Sequence, residues 1–406
     1  MLPADVEEND DAIGVDVSQR LAEILAKLQE MEVREFKPNI RDSNMPSQLE
    51  NVLPEITHSL KIATQARPQA IIQTKFVPPV KTYPGRVVEV KLGATKAEGG
   101  SRGKPIIIGG ETAPAFYSFE KPTLHLPVVA LDVFDMEIPL PKAVKMHVRE
   151  VIGDPAAWAK LAVERFGADL LTIHLVSIDP LIKNTSAKEA VKTVEQVVQA
   201  VDVPLIIGGC GDPVKDADVF EEIAETFSGE RFLISSVTLD MDVERCARFI
   251  KKNGHVALSF TPMDLNLARE LNRRLYEFMP KEDIVMDLTT AALGYGLEYA
   301  FTNMERARLG ALMGDPELNH PICSGTTNAW AAREAWMRMA DEWEPRELRG
   351  PLWELTTALT LLLAGADLFM MMHPAAVKTL KDVIHQLAKD GLHNVDKLAE
   401  WVSEKV

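Results

Sequence analysis

DLTTAALGYGLEYAFTNMERARLGAL, residues 287–312, joins a strand end, a glycine turn and a long helix in one stretch. Ile284, Val285 and Met286 just before it form the short apolar run that a buried parallel strand needs. Thr289 and Thr290 make the exit from that strand polar, and Gly294 and Gly296 permit a tight turn or a close backbone approach. Leu297, Ala300, Phe301, Met304, Ala307 and Ala311 then recur at helical spacing on one face. Strand, polar loop and amphipathic helix make one βα unit, and the rest of the second half of the chain reads as further copies of it.

Working outward, strand candidates fall at residues 128–134, 170–175, 205–208, 232–237, 256–260, 284–287, 321–324 and 368–372, each followed by a helical stretch. Asp154-Pro155, Asp212-Pro213, Thr261-Pro262 and His373-Pro374 each set a capping residue before a proline whose fixed φ suits a first helical turn. Ser186 with Glu189, and Thr261 with Asp264, have capping-box spacing or its acidic variant. Eight repeats of strand, cap and helix predict a (β/α)8 TIM barrel over residues 126–406. The last connection reads as two helices, residues 329–341 and 352–363, divided by EWEPRELRG.

The 406 residues exceed the roughly 250 of such a barrel and leave room for an N-terminal extension. Residues 1–85 read as an acidic tail, a helix striped by Leu21, Ile24, Leu25, Leu28 and Met31, and an arm interrupted by Pro38, Pro46, Pro54, Pro68, Pro78 and Pro79. Residues 86–125 read as a β-hairpin and lead-in: RVVEVKL (86–92) alternates as a strand, and residues 105–108 are its partner across GATKAEGGSRGK. That glycine-rich loop fails the phosphate-loop pattern, because Glu98 stands where the first glycine belongs and Pro105 where Ser or Thr belongs.

A formal net charge of -16 argues against nucleic acid and anionic lipid, which require a basic face. The opening MLPADVEEND is acidic where a signal peptide is basic and then apolar, so a cytoplasmic location is expected. The longest apolar stretch, residues 359–372, is too short for a membrane helix of about 20 residues and is broken by Thr360 and Asp367, so no membrane insertion is expected. The three cysteines, Cys210, Cys246 and Cys323, contain no C-x-x-C pair, and no iron-sulfur cluster needing four of them can be built by this chain alone.

In a TIM barrel the chemistry collects where strands end, which selects Asp132, His174, Cys210, Ser235, Ser236, Ser259, Asp287, Thr289, Ser324 and His373. No lysine ends a strand, against a Schiff-base enzyme, and no His-x-His or close His/carboxylate cluster offers a metal site. Asp132 and Asp287 could pair as acid and base across the mouth, or simply accept hydrogen bonds from loop amides. His174, alone on its strand, reads as a core histidine, and His373 as a cap. Gly208-Gly209-Cys210-Gly211-Asp212 reads either as exposed backbone for a bulky group or as a tight βα turn. Ser235-Ser236, Thr289-Thr290 and Ser324 with Thr326 and Thr327 give a rim of neutral hydroxyls, suited to holding a large amide-rich ligand more than to bond-making.

VKLGATKAEGG (90–100), IIIGGETAPAF (106–116), PLIIGGCGDPVKD (204–216), LGYGLEYAFTNMERARLGAL (293–312) and LLLAGADLFMMMHPAAV (361–377) resemble, in order and spacing, the small subunit of the corrinoid iron-sulfur protein. In archaea this is the delta subunit of the acetyl-CoA decarbonylase/synthase complex. The resemblance implies a non-catalytic TIM barrel paired with a large (gamma) subunit that bears the cluster, with a cobamide (corrinoid) between them. Methyl groups would pass from methyl-tetrahydropterin to the nickel site of acetyl-CoA synthase, so a methyltransferase and that synthase are expected transient partners, in carbon fixation or acetyl-CoA cleavage. The loops carrying Thr289, Thr290, Gly294 and Tyr295, and Ser324, Thr326, Thr327 and Asn328, are the expected corrinoid-facing positions, with Ser235, Ser236 and His373 completing the rim. The rival is an autonomous pterin-dependent methyltransferase using Asp132 and Asp287. A third reading is an assembly protein with no cofactor contact.

Overall fold

The computed structural model describes residues 80–117 and 124–390, which fall in one compact unit, Phe76–Val406. The expected N-terminal helix and most of the proline arm lie outside the described residues, as do residues 391–406. A short antiparallel pair, β1 (Val90–Leu92) and β2 (Ile106–Ile108), comes first, with Val90 opposite Ile108. Eight parallel strands follow: β3 (Val128–Phe134), β4 (Leu170–His174), β5 (Leu205–Gly208), β6 (Leu233–Val237), β7 (Val256–Phe260), β8 (Ile284–Asp287), β9 (Ile322–Gly325) and β10 (Leu368–Met371). They pair in chain order, and β10 closes on β3. This is the expected (β/α)8 barrel, with strand bounds within a residue or two of the sequence reading.

Alternation along each strand divides two cores. Ala130, Leu170, Ile206, Leu233, Val256, Val285, Cys323 and Leu368 fill the barrel interior, while Val129, Leu131, Leu171, Ile173 and Ile207 face the helix layer. Val90, Leu92 and Ile108 belong to the interior cluster, so the hairpin is the floor of the barrel. Its loop is fastened to the amino-terminal ends of the strands. Gly93 N donates to Arg231 O (2.9 Å), and Arg231 Nε returns a bond to Lys91 O (3.0 Å) just before β6.

Arg102, 2% exposed, pairs with Glu230 and donates to the carbonyls of Val198, Val201 and Val203 at the end of α3 (Ala187–Ala200). A cation is favoured there because the last carbonyls of a helix are unpaired and carry the negative end of its dipole. The basic, glycine-rich loop that tempts a phosphate reading is thus a structural clamp.

The outer layer contains α1 (Lys142–Val148), α2 (Pro155–Glu164), α3, α4 (Pro213–Thr226), α5 (Val243–Lys252), α6 (Leu265–Tyr276), α7 (Leu297–Leu312), α8 (Arg346–Ala364) and α9 (Pro374–Asp390). Asp154 caps α2, Asp212 caps α4, and Ser186 with Glu189 forms the full capping box of α3. At α6 the cap is Asp264, not Thr261: its carboxylate takes the amides of Asn266 (2.7 Å) and Leu267 (3.3 Å), and Thr261 stays in the buried strand exit.

The last connection also differs from the sequence reading. In place of a helix over 329–341 there are short 3-10 turns at Thr326–Ala331, Arg333–Ala335 and Asp341–Trp343, and α8 begins earlier, at Arg346. Trp330 packs so tightly on Gly350 that a β-carbon there would lie 2.4 Å from the indole, a contact that pins the 3-10 segment flat against α8. No helix among the described residues is long and apolar enough to cross a membrane.

Candidate functional site

The carboxyl ends of the strands form the mouth of the barrel, opposite the hairpin floor. Strand register sets Phe134 opposite His174, His174 opposite Gly208, Gly208 opposite Ser235, and Phe260 opposite Asp287. Of the residues singled out on the rim, Ser235, Ser236, Thr289 and Thr327 are half-buried, whereas Gly294, Tyr295 and Asn328 are exposed. Ser235 and Ser236 are joined by a cis peptide, with their hydroxyls 3.2 Å apart. Asn328 donates to Thr290 O (3.1 Å), tying the β9 loop to the β8 loop. Tyr295 donates to Glu334 (3.0 Å).

Thr290, Ser324 and Thr326 sit deeper and satisfy one another. The Thr290 and Ser324 hydroxyls are 2.9 Å apart, those of Ser324 and Thr326 2.8 Å, and all three residues are buried. They brace the two loops from behind. Ser259 is braced likewise, donating to Asn272 of α6 at 2.8 Å. His373 is buried under Trp330, takes the Ala375 amide on Nδ1 (3.2 Å), and thereby serves α9 as a cap. Burial, with His147 beside it, pushes its pKa down to about 4 and keeps the ring neutral.

The Gly209-Cys210-Gly211 turn wraps the buried Asp216 carboxylate, which accepts the Cys210 amide (2.8 Å) and the Gly211 amide (2.9 Å). Cys210 Sγ lies 3.2 Å from the same carboxylate. Burial first, then Asp216, pushes this thiol up to about 11, so it has no thiolate reactivity at neutral pH. A β-carbon on Gly209 would lie 2.4 Å from Asp216 Cγ. Gly209→Ala should therefore cost roughly 1–3 kcal/mol in thermal or urea unfolding, through overpacking and two loosened amides. A variant as stable as the parent would mean that the turn does not need the glycine.

Two carboxylates stand at the mouth. Asp287 is buried; its Oδ1 accepts the Thr289 amide (2.9 Å), and Thr289 holds a left-handed φ of 70° with its hydroxyl on Thr261 O (2.9 Å). Burial raises the Asp287 pKa to about 7, against a smaller opposite effect of the Thr289 amide. Asp132 is buried too, and one of its oxygens accepts the Thr327 hydroxyl. Its other oxygen, Oδ1, lies 3.2 Å from His174 Nε2, out of line for a full hydrogen bond.

Burial works against the charged imidazole of His174, but the Asp132 carboxylate, with Asp135 behind it, outweighs this and raises its pKa above the ordinary value. With its side chain 27% exposed, His174 belongs to the mouth, not the core. Sequence reasoning missed that, although its place on the inward face beside Gly208 is readable from strand alternation. It also missed Glu354 of α8, whose buried carboxylate receives the Met372 (2.6 Å) and His373 (3.0 Å) amides at the end of β10.

Among the described residues no group of three or more His, Cys, Asp or Glu is arranged to hold a metal ion. The mouth can hold a ligand by neutral hydrogen bonds and close backbone, and it contains one acid–imidazole couple.

Residues 89–342 match the CO dehydrogenase/acetyl-CoA synthase delta subunit family. The chain is similar to the acetyl-CoA decarbonylase/synthase complex subunit delta of Archaeoglobus fulgidus, with 54% identity over 346 residues, 84% of this chain and 76% of that protein. The subunit delta of Methanothermobacter thermautotrophicus is 41% identical over 395 residues, 96% of this chain and 98% of the other. Among solved structures, a Xanthomonas albilineans dihydropteroate synthase with 4-aminobenzoic acid gives a TM-score of 0.45 at 17% identity, over 65% of this chain and 94% of that one.

Proposed function

This chain belongs to the CO dehydrogenase/acetyl-CoA synthase delta subunit family, and from that premise we propose that its barrel mouth is one wall of a cobamide site shared with a larger, cluster-bearing gamma subunit. The observation that carries the reading is the make-up of the mouth. Ser235, Ser236, Thr289, Thr327 and Asn328 are within reach around it, glycine backbone lies at 208–209 and 325, and the buried Thr172 and Thr261 hydroxyls have no hydrogen-bond partner among the described residues. Such a surface fits a broad, amide-fringed ring.

Bound there, the cobamide would supply the methyl-carrying cobalt chemistry. The chain's own part is to orient the ring, present hydroxyl oxygens to its amide fringe and exclude water. Its three cysteines are too few for a four-cysteine cluster, so the cluster is assigned to the partner. Leu181, Ile182 and Met263, exposed on the βα loops around the opening, and Val214, exposed in the first turn of α4, are apolar surface for that partner to cover. A pterin methyltransferase and acetyl-CoA synthase would visit the same end in turn.

Co-expression with the gamma subunit tests the reading. Ser235→Tyr and Asn328→Trp should each lower corrinoid retention by the heterodimer about tenfold, read from its visible absorbance, while heterodimer formation persists; tenfold corresponds to about 1.4 kcal/mol, the scale of one or two lost hydrogen bonds plus a steric clash. Full retention in both variants would leave the mouth without this role. One observation favours the autonomous methyltransferase instead: a carboxyl poised near neutrality at Asp287. Turnover of a methylpterin by the chain alone with free corrinoid, abolished by Asp287→Asn, would establish that rival.

A further inference from the structure

The imidazole of His174 is held from one side only. Nε2 faces Asp132 Oδ1 at 3.2 Å, both atoms are buried, and neither has a hydrogen-bond partner among the described residues. Asp132 is itself fixed by the Thr327 hydroxyl, which also lies 3.3 Å from Met370 O, so β3, the β9 loop and β10 all contribute to its position. The ring stacks on Phe134, centroids 5.0 Å apart and planes 19° from parallel, and Phe134 is backed by Trp158 of α2.

The other nitrogen, Nδ1, has no hydrogen bond among the described residues, and it lies next to β5, where a β-carbon on Gly208 would approach it to 3.1 Å. A side chain there would push the ring back by a few tenths of an ångström. Acid behind, aromatic plate beneath and an unfilled nitrogen in front is the arrangement of an oriented donor.

We propose that His174 is a positioning donor of the mouth, presenting Nδ1–H to a neutral carbonyl oxygen, of the carboxamide type, on the ligand seated there. The inference rests on the cobamide reading above and names a contact within it. The chemistry of the acceptor follows from the charges around the ring. Asp132 and Asp135 face it from β3 and the turn after β3, Gly208 of β5 and Phe134 bring no charge, and Glu354 lies behind Asp132. With carboxylates already neutralising the imidazolium, an anionic oxygen would meet net repulsion, whereas a carbonyl dipole gains the full donor. Because the same carboxylates favour the protonated ring, Nδ1 carries its proton up to a pH above the ordinary histidine value and loses the charge beyond it.

The test uses the heterodimer with the gamma subunit, titrated with hydroxocobalamin at pH 6, 7.5 and 9 and read by absorbance. The parent should bind more weakly as pH rises through the His174 titration. His174→Ala should bind about tenfold or more weakly at pH 6 and lose that pH dependence, since the ligand loses a hydrogen bond from a charged donor. His174→Gln, which keeps a neutral amide donor, should recover part of the affinity and remain insensitive to pH.

Ring proton shifts from magnetic resonance give a readout independent of the cofactor: His174 should titrate above 6.5, and at lower pH in Asp132→Asn. Unchanged affinity and pH slope in His174→Ala would overturn the proposal while leaving the cobamide reading intact. A His174 titration unmoved in Asp132→Asn would overturn the positioning role. A parent heterodimer that takes up no hydroxocobalamin would overturn the cobamide reading, and this proposal with it.

Discussion

Arg308→Met is expected to destabilise the barrel by about 3–5 kcal/mol, the usual cost of stripping one partner from a buried ion cluster. Arg308 is 3% exposed on the inner side of α7. It holds Glu111 at 2.6 Å and Asp367 at 2.5 Å, and also donates to Gly365 O. Asp367 in turn accepts the Ile322 amide (2.7 Å), and its backbone joins β10 to β9 and β3.

One guanidinium therefore ties the segment after the hairpin, the sixth barrel crossover and the closing strand together where the ring of strands shuts. Removing it strands two carboxylates in a dry environment. Urea unfolding at pH 7 measures the loss. Arg308→Lys, which keeps the charge but not the forked geometry, should fall between the two. A methionine variant within 1 kcal/mol of the parent would show that the cluster contributes no net stability, an outcome other buried ion networks have given on hydrophobic replacement.

Asp287→Asn should have the opposite sign, with an effect that is absent near pH 4 and grows as pH rises toward about 7. The folded carboxyl titrates near 7 against an ordinary 3.8, so the native state binds that proton more tightly than the unfolded chain. The stability this lends is whole below the ordinary value, shrinks as pH climbs, and is gone above about 7. The rise from 3.8 to about 7 corresponds to about 4 kcal/mol between the two limits. Asparagine, which can still accept the Thr289 amide, removes the charge, so the variant should match the parent near pH 4 and exceed it by about 3–4 kcal/mol at pH 8–9. A difference independent of pH would show that Asp287 is not a buried acid. The same variant separates the two functional readings: in a scaffold it only stabilises, in an autonomous enzyme it abolishes turnover.

The strands were legible because a buried parallel strand has few ways to be written. Runs such as Leu205-Ile206-Ile207 and Val256-Ala257-Leu258 are apolar on both faces, and proline after Asp154 and Asp212 marks helix starts without tertiary help. Residues 329–341 misled because Trp and Met at mixed spacing mimic a helix, while the packing of Trp330 on Gly350, which prevents one, joins positions twenty apart. The site was legible by position but not by depth. Strand-end residues can be enumerated from the pattern, yet whether Ser324 turns to the mouth or to Thr290 depends on pleat parity at one strand terminus. His174 was misplaced for the same reason: its partner Asp132 is 42 residues away and on the neighbouring strand. The resemblance to a known family supplied what neither pattern nor parity contains, the expectation of a ligand large enough to need so many weak contacts.

The hairpin floor has a bearing on traffic. With Val90, Leu92 and Ile108 stoppering one end, the barrel is a cup and not a conduit. Whatever it receives must leave by the way it came, and any protein leaning over the brim blocks the next. On the reading proposed above, access would be sequential, and the order of docking, not a passage through the subunit, would be where control over the ligand resides.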